Sequence, residues 1–275
     1  MSLIIINDPI HKDYEDLFNR ALQLKPTQID VYLNSSIHSV EQLGRVLNKL
    51  YGQVRALSLD HQYSYKFNID ILFNSIDFQD YKRIYVSDKE VHIAKSQKLN
   101  VTAIPSELKS VDAGPSEGSS VGKFDIVAVG GTFDHLHDGH KILLSSAVFL
   151  AKNKVIVGIT DDELLKNKKY KQYLELFEKR LEITTKFLKK IASNQTFDLY
   201  KIVDICGPTG YIKGIDCLVL SKESASGGEF VNNFRKSIGY PKLTVYAIEL
   251  IGGENKLSST DLRREEQELT QFQQK

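Results

Sequence analysis

Runs of β-branched and apolar residues punctuate the chain at intervals, with amphipathic stretches between them, which is the alternation of an α/β protein. In the first hundred residues LIIIN (3–7), IDVYL (29–33), RALSLD (55–60), YKFNIDILF (65–73) and KRIYVS (82–87) read as strands. Helical spacing covers 13–24 and 39–51. From Ile104 the pattern fades into PSELKSVDAGPSEGSSVGK, rich in proline, glycine and serine, so residues 105–122 read as a linker. It separates a smaller N-terminal α/β domain (1–104) from a second domain (123–275).

The second domain has five apolar runs: Asp125–Val129, KVIVGIT (154–160), YKIVDI (200–205), DCLVLS (216–221) and LTVYAIEL (243–250). Near-continuous apolar content marks them as buried parallel strands, and the segments between them read as helices. A doubly wound, Rossmann-like parallel sheet follows, with its ligand crevice at the strand carboxyl ends.

Chemistry gathers at those ends. The first strand stops at Gly130 and Gly131, and a helical pattern begins at Asp138. Bare glycine backbone lets a nucleotide lie close, and a helix start offers N–H groups to anions. His137 and His140, three residues apart, share one face there. A zinc site would need three or four ligands, but Cys206 and Cys217 lie far downstream with no CxxC or HExxH nearby, so no protein-held metal is expected. After the second strand, Lys166, Lys168, Lys169 and Lys171 occupy a polar loop that can neutralise a polyphosphate. The third run ends at Asp204, a weak site candidate, beside Cys206, a packed thiol with no base evident next to it. Ser258, Ser259 and Thr260 can cap the last helix, and Arg263 lies one turn along.

GTFDHLHDGH (131–140) resembles the first signature of the nucleotidylyltransferase superfamily, GTFDxxHxGH. SSTDLR (258–263) resembles its second, and LSKESASGG with NNFR (220–235) is similar to a segment of the archaeal and eukaryotic phosphopantetheine adenylyltransferases. That resemblance implies the nucleotidylyltransferase fold for the second domain, ATP and 4′-phosphopantetheine as substrates, and Mg²⁺ arriving with ATP. It implies a nucleotide site at Gly130, Gly131, Thr132, Phe133, His137 and His140, with Lys166 or Lys168 clamping the phosphates. Ser221, Glu223 and Arg235, with the matching Gly227, Gly228 and Asn232, would serve the adenine end, and Ser258, Ser259, Thr260 and Arg263 the leaving pyrophosphate. Two positions depart from the family: DICGPT stands where DPYGPT is common, and ENKLSST lacks the arginine and glycine of the cytidylyltransferase RTxGIST, which favours the adenylyl branch. A cytidylyltransferase, a nicotinamide mononucleotide adenylyltransferase and an inactive nucleotide-binding module are the alternatives.

The remaining composition narrows the setting. A net charge of +1 argues against nucleic acid or an acidic membrane as partner. Two cysteines give no disulfide framework, and neither a charged leader nor a long apolar run is seen, so the chain reads as cytoplasmic, with the nucleus as the alternative. In the N-terminal domain His11, His38, His61 and His92 are scattered and read as surface or satisfied residues; no function is legible there, and binding of protein partners is one role open to it.

Overall fold

A computed structural model describes residues 1–115, 118–250 and 258–273. It divides into two compact units, Met1–His38 with Arg45–Gly118, and Ser39–Gly44 with Ser119–Lys275. Among the described residues no helix is long and apolar enough to cross a membrane.

The first unit contains β1 (Ser2–Ile6), β2 (Lys12–Asp13), α1 (Glu15–Gln23), β3 (Ile29–Leu33), all but the first turn of α2 (Val40–Asp60), β4 (Ile69–Leu72), β5 (Arg83–Ser87), α3 (Val91–Ser96), β6 (Thr102–Ile104) and β7 (Lys109–Ser110). Its sheet runs β4-β3-β1-β5-β6, parallel throughout. The central strand is entirely buried, as a sheet covered on both faces requires. RALSLD, expected as a strand, is instead the last part of α2. Leu43, Val46, Leu47, Leu50, Tyr51 and Val54 are buried at helical spacing, and the helix continues through Arg55 and Ser58, buried on the same stripe. Lys109 and Ser110, within the stretch read as linker, pair antiparallel with β2.

The second unit contains β8 (Phe124–Gly131), α4 (Asp138–Leu150), β9 (Ala151–Thr160), α5 (Phe177–Ile191), β10 (Thr196–Ile202), α6 (Gly207–Tyr211), β11 (Cys217–Ser221), α7 (Ala225–Ser237), β12 (Thr244–Ile248) and α8 (Ser259–Gln273). The sheet order β10-β9-β8-β11-β12, all parallel, is the doubly wound arrangement, with the switch between β8 and β11. Nearly every residue of α4 is buried, so this helix has little amphipathic contrast and is clamped against the sheet. The third strand lies earlier than YKIVDI suggests. β10 is an edge strand that pairs only with β9 and ends at Ile202, leaving Val203 and Ile205 61% and 78% exposed.

Candidate active site

The floor of the site is backbone. At the carboxyl ends of β8 and β9, Gly130 lies beside Gly158 in register. A Cβ on Gly158 would come within 2.5 Å of Ile202 Cδ1, so any side chain there must push the Ile202 side chain aside. Beyond Gly131 the chain turns sharply, and Phe133 and His135 take the left-handed conformation at φ 50° and 46°. For residues other than glycine such backbone costs about 1–3 kcal/mol each and persists only where surroundings enforce it.

The enforcement comes from Asp134, which is fully buried. Its carboxylate accepts from the Glu175 N–H at 2.9 Å, lies 3.0 Å from His135 Nδ1, and pairs with Arg263 Nη1. His135 in turn donates its backbone N–H to Glu175 Oε2 and places Nε2 3.2 Å from Glu266 of α8. Burial opposes ionisation of Asp134, yet the bonds from His135, Glu175 and Arg263 hold its carboxyl below the ordinary range. Burial likewise disfavours a charged His135, and the Asp134 and Glu266 carboxylates override it, raising the imidazole. Asp134, His135 and Glu175 bring possible ligand atoms within 4.8 Å of one another, but each already serves this internal network and forms no open metal cage.

On this turn stand the two histidines. His137 ends the loop in extended conformation just before α4, and its ring stacks on His140 at 3.9 Å between centroids. A Cβ on Gly139 would lie 3.2 Å from His137 Cε1, so glycine makes room for the stack. Phe133, expected at the nucleotide, is wholly buried and meets His140 edge-on from behind. Its ring supports the histidine. Burial holds His140 well below the ordinary histidine range, with the nearby positive charges of His137 and Lys168 adding to the effect. His140 is therefore neutral at pH 7, and its Nδ1 has no hydrogen-bond partner among the described residues.

The loop lysines differ in the same electrostatic sense. Lys168 acts on His140, whereas Lys166 is exposed and ion-paired with Glu163 on the turn Asp162–Leu165. Arg180, which no sequence motif singles out, fixes this region. Fully buried, it donates to the carbonyls of Thr132 (2.7 Å), Thr160 (2.9 Å) and Glu175 (3.0 Å) and to Asp162 (2.6 Å). It thereby ties the ends of β8 and β9 to the lysine loop. The available signal was its spacing, since Phe177, Arg180, Thr184 and Phe187 follow the inward stripe of α5.

Two other arginines, expected at the nucleotide, are also turned inward. Arg235 is fully buried and donates to the carbonyls of Pro241, Thr209, Ile212, Lys213 and Ile215. Arg263, 2% exposed, joins Asp134 to the Lys169 carbonyl and Thr260 Oγ1. Arg235 thereby spends its whole guanidinium on loop carbonyls, whereas Arg263 makes three bonds, so both organise loops while Arg263 keeps N–H groups for a phosphate. The hydroxyls of the second signature are engaged too. Ser258 caps α8 through Asp261, with its Oγ 2.5 Å from Oδ2, and Ser259 Oγ donates to the Asp134 carbonyl at 2.8 Å. The latter bond brings the N-terminus of α8 to the signature turn, where its N–H groups favour anions. Residues 254–257 of ENKLSST lie outside the described residues.

On the other side of the switch point, Ser221 Oγ meets Ser224 Oγ at 3.1 Å and Glu223 is exposed on the turn Lys222–Ser224. Gly228 and Asn232 are packing residues. A Cβ on Gly228 would meet Val245 at 3.0 Å, and the Asn232 amide bonds both the N–H and the carbonyl of Leu243. Gly227 instead faces a cavity of about 310 Å³ that begins at Gly130 and Gly131 and is walled by Leu164, Ile202, Ile205, Cys206, Pro208 and Leu220. The two positions that depart from the family pattern, Ile205 and Cys206, thus line it. Asp204 accepts from the N–H groups of Cys206 and Gly207 at 2.9 and 2.8 Å, which shapes this wall. Burial pushes the Cys206 thiol up and the Cys217 thiol up to about 12, so neither is a ready nucleophile. A wider groove of about 790 Å³ between α7 and β12 is lined by Gly228 and Asn232 but by none of the histidine, lysine or second-signature residues.

The geometry is thus a glycine floor, stacked imidazoles, one facing lysine, two helix N-termini and an apolar cavity. Comparison with known proteins agrees with it. The cytidylyltransferase-like family model matches residues 128–265. A phosphopantetheine adenylyltransferase of Saccharomyces cerevisiae is 34% identical over 86% of this chain and 83% of its own length. One from Pyrococcus furiosus is 37% identical over 51% of this chain and 88% of its own length. A solved structure of an Archaeoglobus fulgidus protein of unknown function is 26% identical, covers 46% of this chain and 99% of its own, and has a TM-score of 0.41. The chain belongs to the cytidylyltransferase-like family and, within it, to the phosphopantetheine adenylyltransferases.

Proposed function

We propose that the second unit transfers AMP from ATP to 4′-phosphopantetheine, giving 3′-dephospho-CoA and pyrophosphate. The observation that carries this reading is the His137–His140 stack beside a glycine floor, with an apolar cavity opening from the same glycines. A phosphate oxygen of the acceptor attacks the α-phosphorus, and the bond to the β-phosphate oxygen breaks. The attacking oxygen is already ionised near neutral pH, so no general base is needed. Catalysis rests on positioning and on stabilising charge as it moves to the leaving pyrophosphate.

Each group has a task in that scheme. Neutral His140, with His137, donates to the triphosphate, and Lys168 supplies a positive charge from the loop. Thr132, next to the glycines, orients the acceptor phosphate. The N-terminus of α8 faces the leaving group through its N–H dipoles. The pantetheine arm, an amide chain of mostly apolar surface, lies in the cavity walled by Ile202, Ile205 and Leu220, where Ile205 and Cys206 keep the mouth apolar. Mg²⁺ comes bound to ATP, because the carboxylates of the signature turn serve Arg263 and His135 instead. A cytoplasmic location suits this pool of substrates.

The archaeal relative supports assigning the activity to one unit. About half of this chain matches 88% of it, and the family model lies wholly inside the second unit. The deciding assay is pyrophosphate release with Mg²⁺, comparing ATP and CTP across phosphopantetheine, phosphocholine, phosphoethanolamine and nicotinamide mononucleotide. Release confined to ATP with phosphopantetheine is expected. Another productive pair would overturn the substrate, and ATP binding without release from any pair would make the unit a binding module.

A further inference from the structure

The first unit has the strand order of the second. Leaving aside the two-residue β2, β4-β3-β1-β5-β6 is third, second, first, fourth, fifth in chain order, and β10-β9-β8-β11-β12 is the same. The rule that places a ligand at the switch point of such a sheet points here to the carboxyl end of β1, beside β5. The residues at that point are of a different kind. Where the second unit aligns Gly130 with Gly158, the first aligns Ile5 with Tyr32 and Ile6 with Leu33, and both isoleucines are buried. No bare backbone is left for a nucleotide to lie on.

A carboxylate occupies the place instead. Glu90, three residues past β5, is 1% exposed. It accepts from Asn7 Nδ2 at 2.8 Å, from Lys12 Nζ at 2.7 Å and from the Tyr14 hydroxyl at 3.0 and 3.1 Å. That hydroxyl, wholly buried, in turn accepts from the N–H groups of Asp8 at 2.8 Å and Asn7 at 3.2 Å. Asn34, just past the end of β3, completes the set by donating to Asn7 Oδ1 at 2.7 Å. An ammonium, an amide and a hydroxyl thus converge on one anion, as they would on a bound ligand, and the backbone after the central strand holds the hydroxyl in place.

We propose that the first unit is a closed counterpart of the catalytic unit, in which the Glu90 carboxylate fills a small-anion site at the switch point as a built-in ligand. The site belongs to the class that takes a carboxylate or phosphate monoanion, and it is satisfied from within the chain. The unit therefore holds no second nucleotide. Its anion cradle serves folding, and it is separate from the AMP-transfer site. This inference does not rest on the substrate assigned above.

Glu90→Ala removes the carboxylate and leaves Lys12, Tyr14 and Asn7 facing an empty space. The test is thermal unfolding of the full chain in formate, acetate, inorganic phosphate or chloride at equal ionic strength. The expected result is a fall in midpoint of roughly 5 to 10 °C, as for leaving the Tyr14 hydroxyl and the Asn7 amide without their acceptor. At least one of formate, acetate and phosphate should recover part of that fall saturably. Chloride should not, and the wild type should not respond. A variant as stable as the wild type, or equal responses to all the anions, would overturn the proposal. Should Glu90→Ala not fold, Glu90→Gln keeps the shape without the charge: it should be less stable than the wild type and indifferent to added anion, and wild-type stability in Glu90→Gln would overturn the claim. Counting ATP sites on the wild-type chain gives an independent reading, since two sites per chain would also defeat it.

Discussion

The two units of this protein share one strand order and differ in what stands at the end of the central strand. In the second unit it is Gly130 and Gly131, followed by a strained turn that presents His137 and His140. In the first it is Ile5 and Ile6, followed by a loop whose donors converge on Glu90. Topology therefore provides a place for a ligand without making it a site. A site arises where the chain leaves backbone bare and some polar groups unanswered by its own side chains, as at His140 Nδ1. Where every donor is answered internally, the same architecture is only a fold.

The strongest way to break the contrast is to attack the internal network that keeps the catalytic turn strained. Arg263→Met removes one of the two cations facing the buried Asp134 carboxylate and leaves it His135 and the Glu175 N–H; breaking a buried pair typically costs about 3–5 kcal/mol. Denaturant unfolding should show a loss of that size, and Arg263→Lys should recover little of it because an ammonium cannot span Asp134, the Lys169 carbonyl and Thr260 together. If Arg263 instead served only the pyrophosphate, both variants would be as stable as wild type and impaired in turnover alone.

His140→Ala should slow turnover by ~10²- to 10³-fold, as loss of one transition-state donor does, with an unfolding midpoint close to wild type. Normal turnover would remove this histidine from the mechanism. Gly158→Ala sharpens the role of the glycine floor. The new Cβ must displace Ile202, at a cost of about 1–3 kcal/mol, and should raise the KM for phosphopantetheine because Ile202 also walls the cavity.

The lysine loop gives a smaller, paired test. Lys168→Ala should weaken kcat/KM for ATP by about tenfold, the scale of removing a single charge-assisted hydrogen bond, and Lys166→Ala should change it less than about twofold. The reverse ranking would show that the loop rearranges on binding and that the Glu163 pair is only a resting state. The smallest effect is in pH. The Asp134 carboxyl is held low, so its contribution to stability is present above about pH 4 and is lost as the solution is acidified through its lowered value. His135 is raised, so its contribution is complete below about pH 6.5 and is lost as pH rises through the raised value. Unfolding midpoints of wild type should decline on both flanks, and His135→Gln should flatten the alkaline flank while making the acid one shallower, because His135 helps hold the Asp134 carboxyl low.

Local sequence was informative wherever local chemistry decides. The apolar runs marked β8, β9, β11 and β12 closely, because buried parallel strands and the turns that stop them leave their mark in composition. Spacing placed His137 and His140 on a common face, since three residues along a helix start lie together, and their rings do stack. RALSLD was misread because six residues of mixed apolar content suit either a strand or the end of a long helix, and only the packing of α2 separates them.

What the sequence by itself determined is the α/β alternation, the family signatures and the glycine floor, all of which depend on neighbours in the chain. What only the tertiary structure decided is the direction of the long side chains. Arg235 and Arg263 read in sequence as cations for a nucleotide and Arg180 is marked by no motif; the packed structure buries all three among partners 3 to 129 residues away. Likewise Glu90 reached its cradle from 76 to 83 residues distant. A charged group is buried only when the fold collects enough partners around it, and that gathering is a property of the packed structure and not of any one segment.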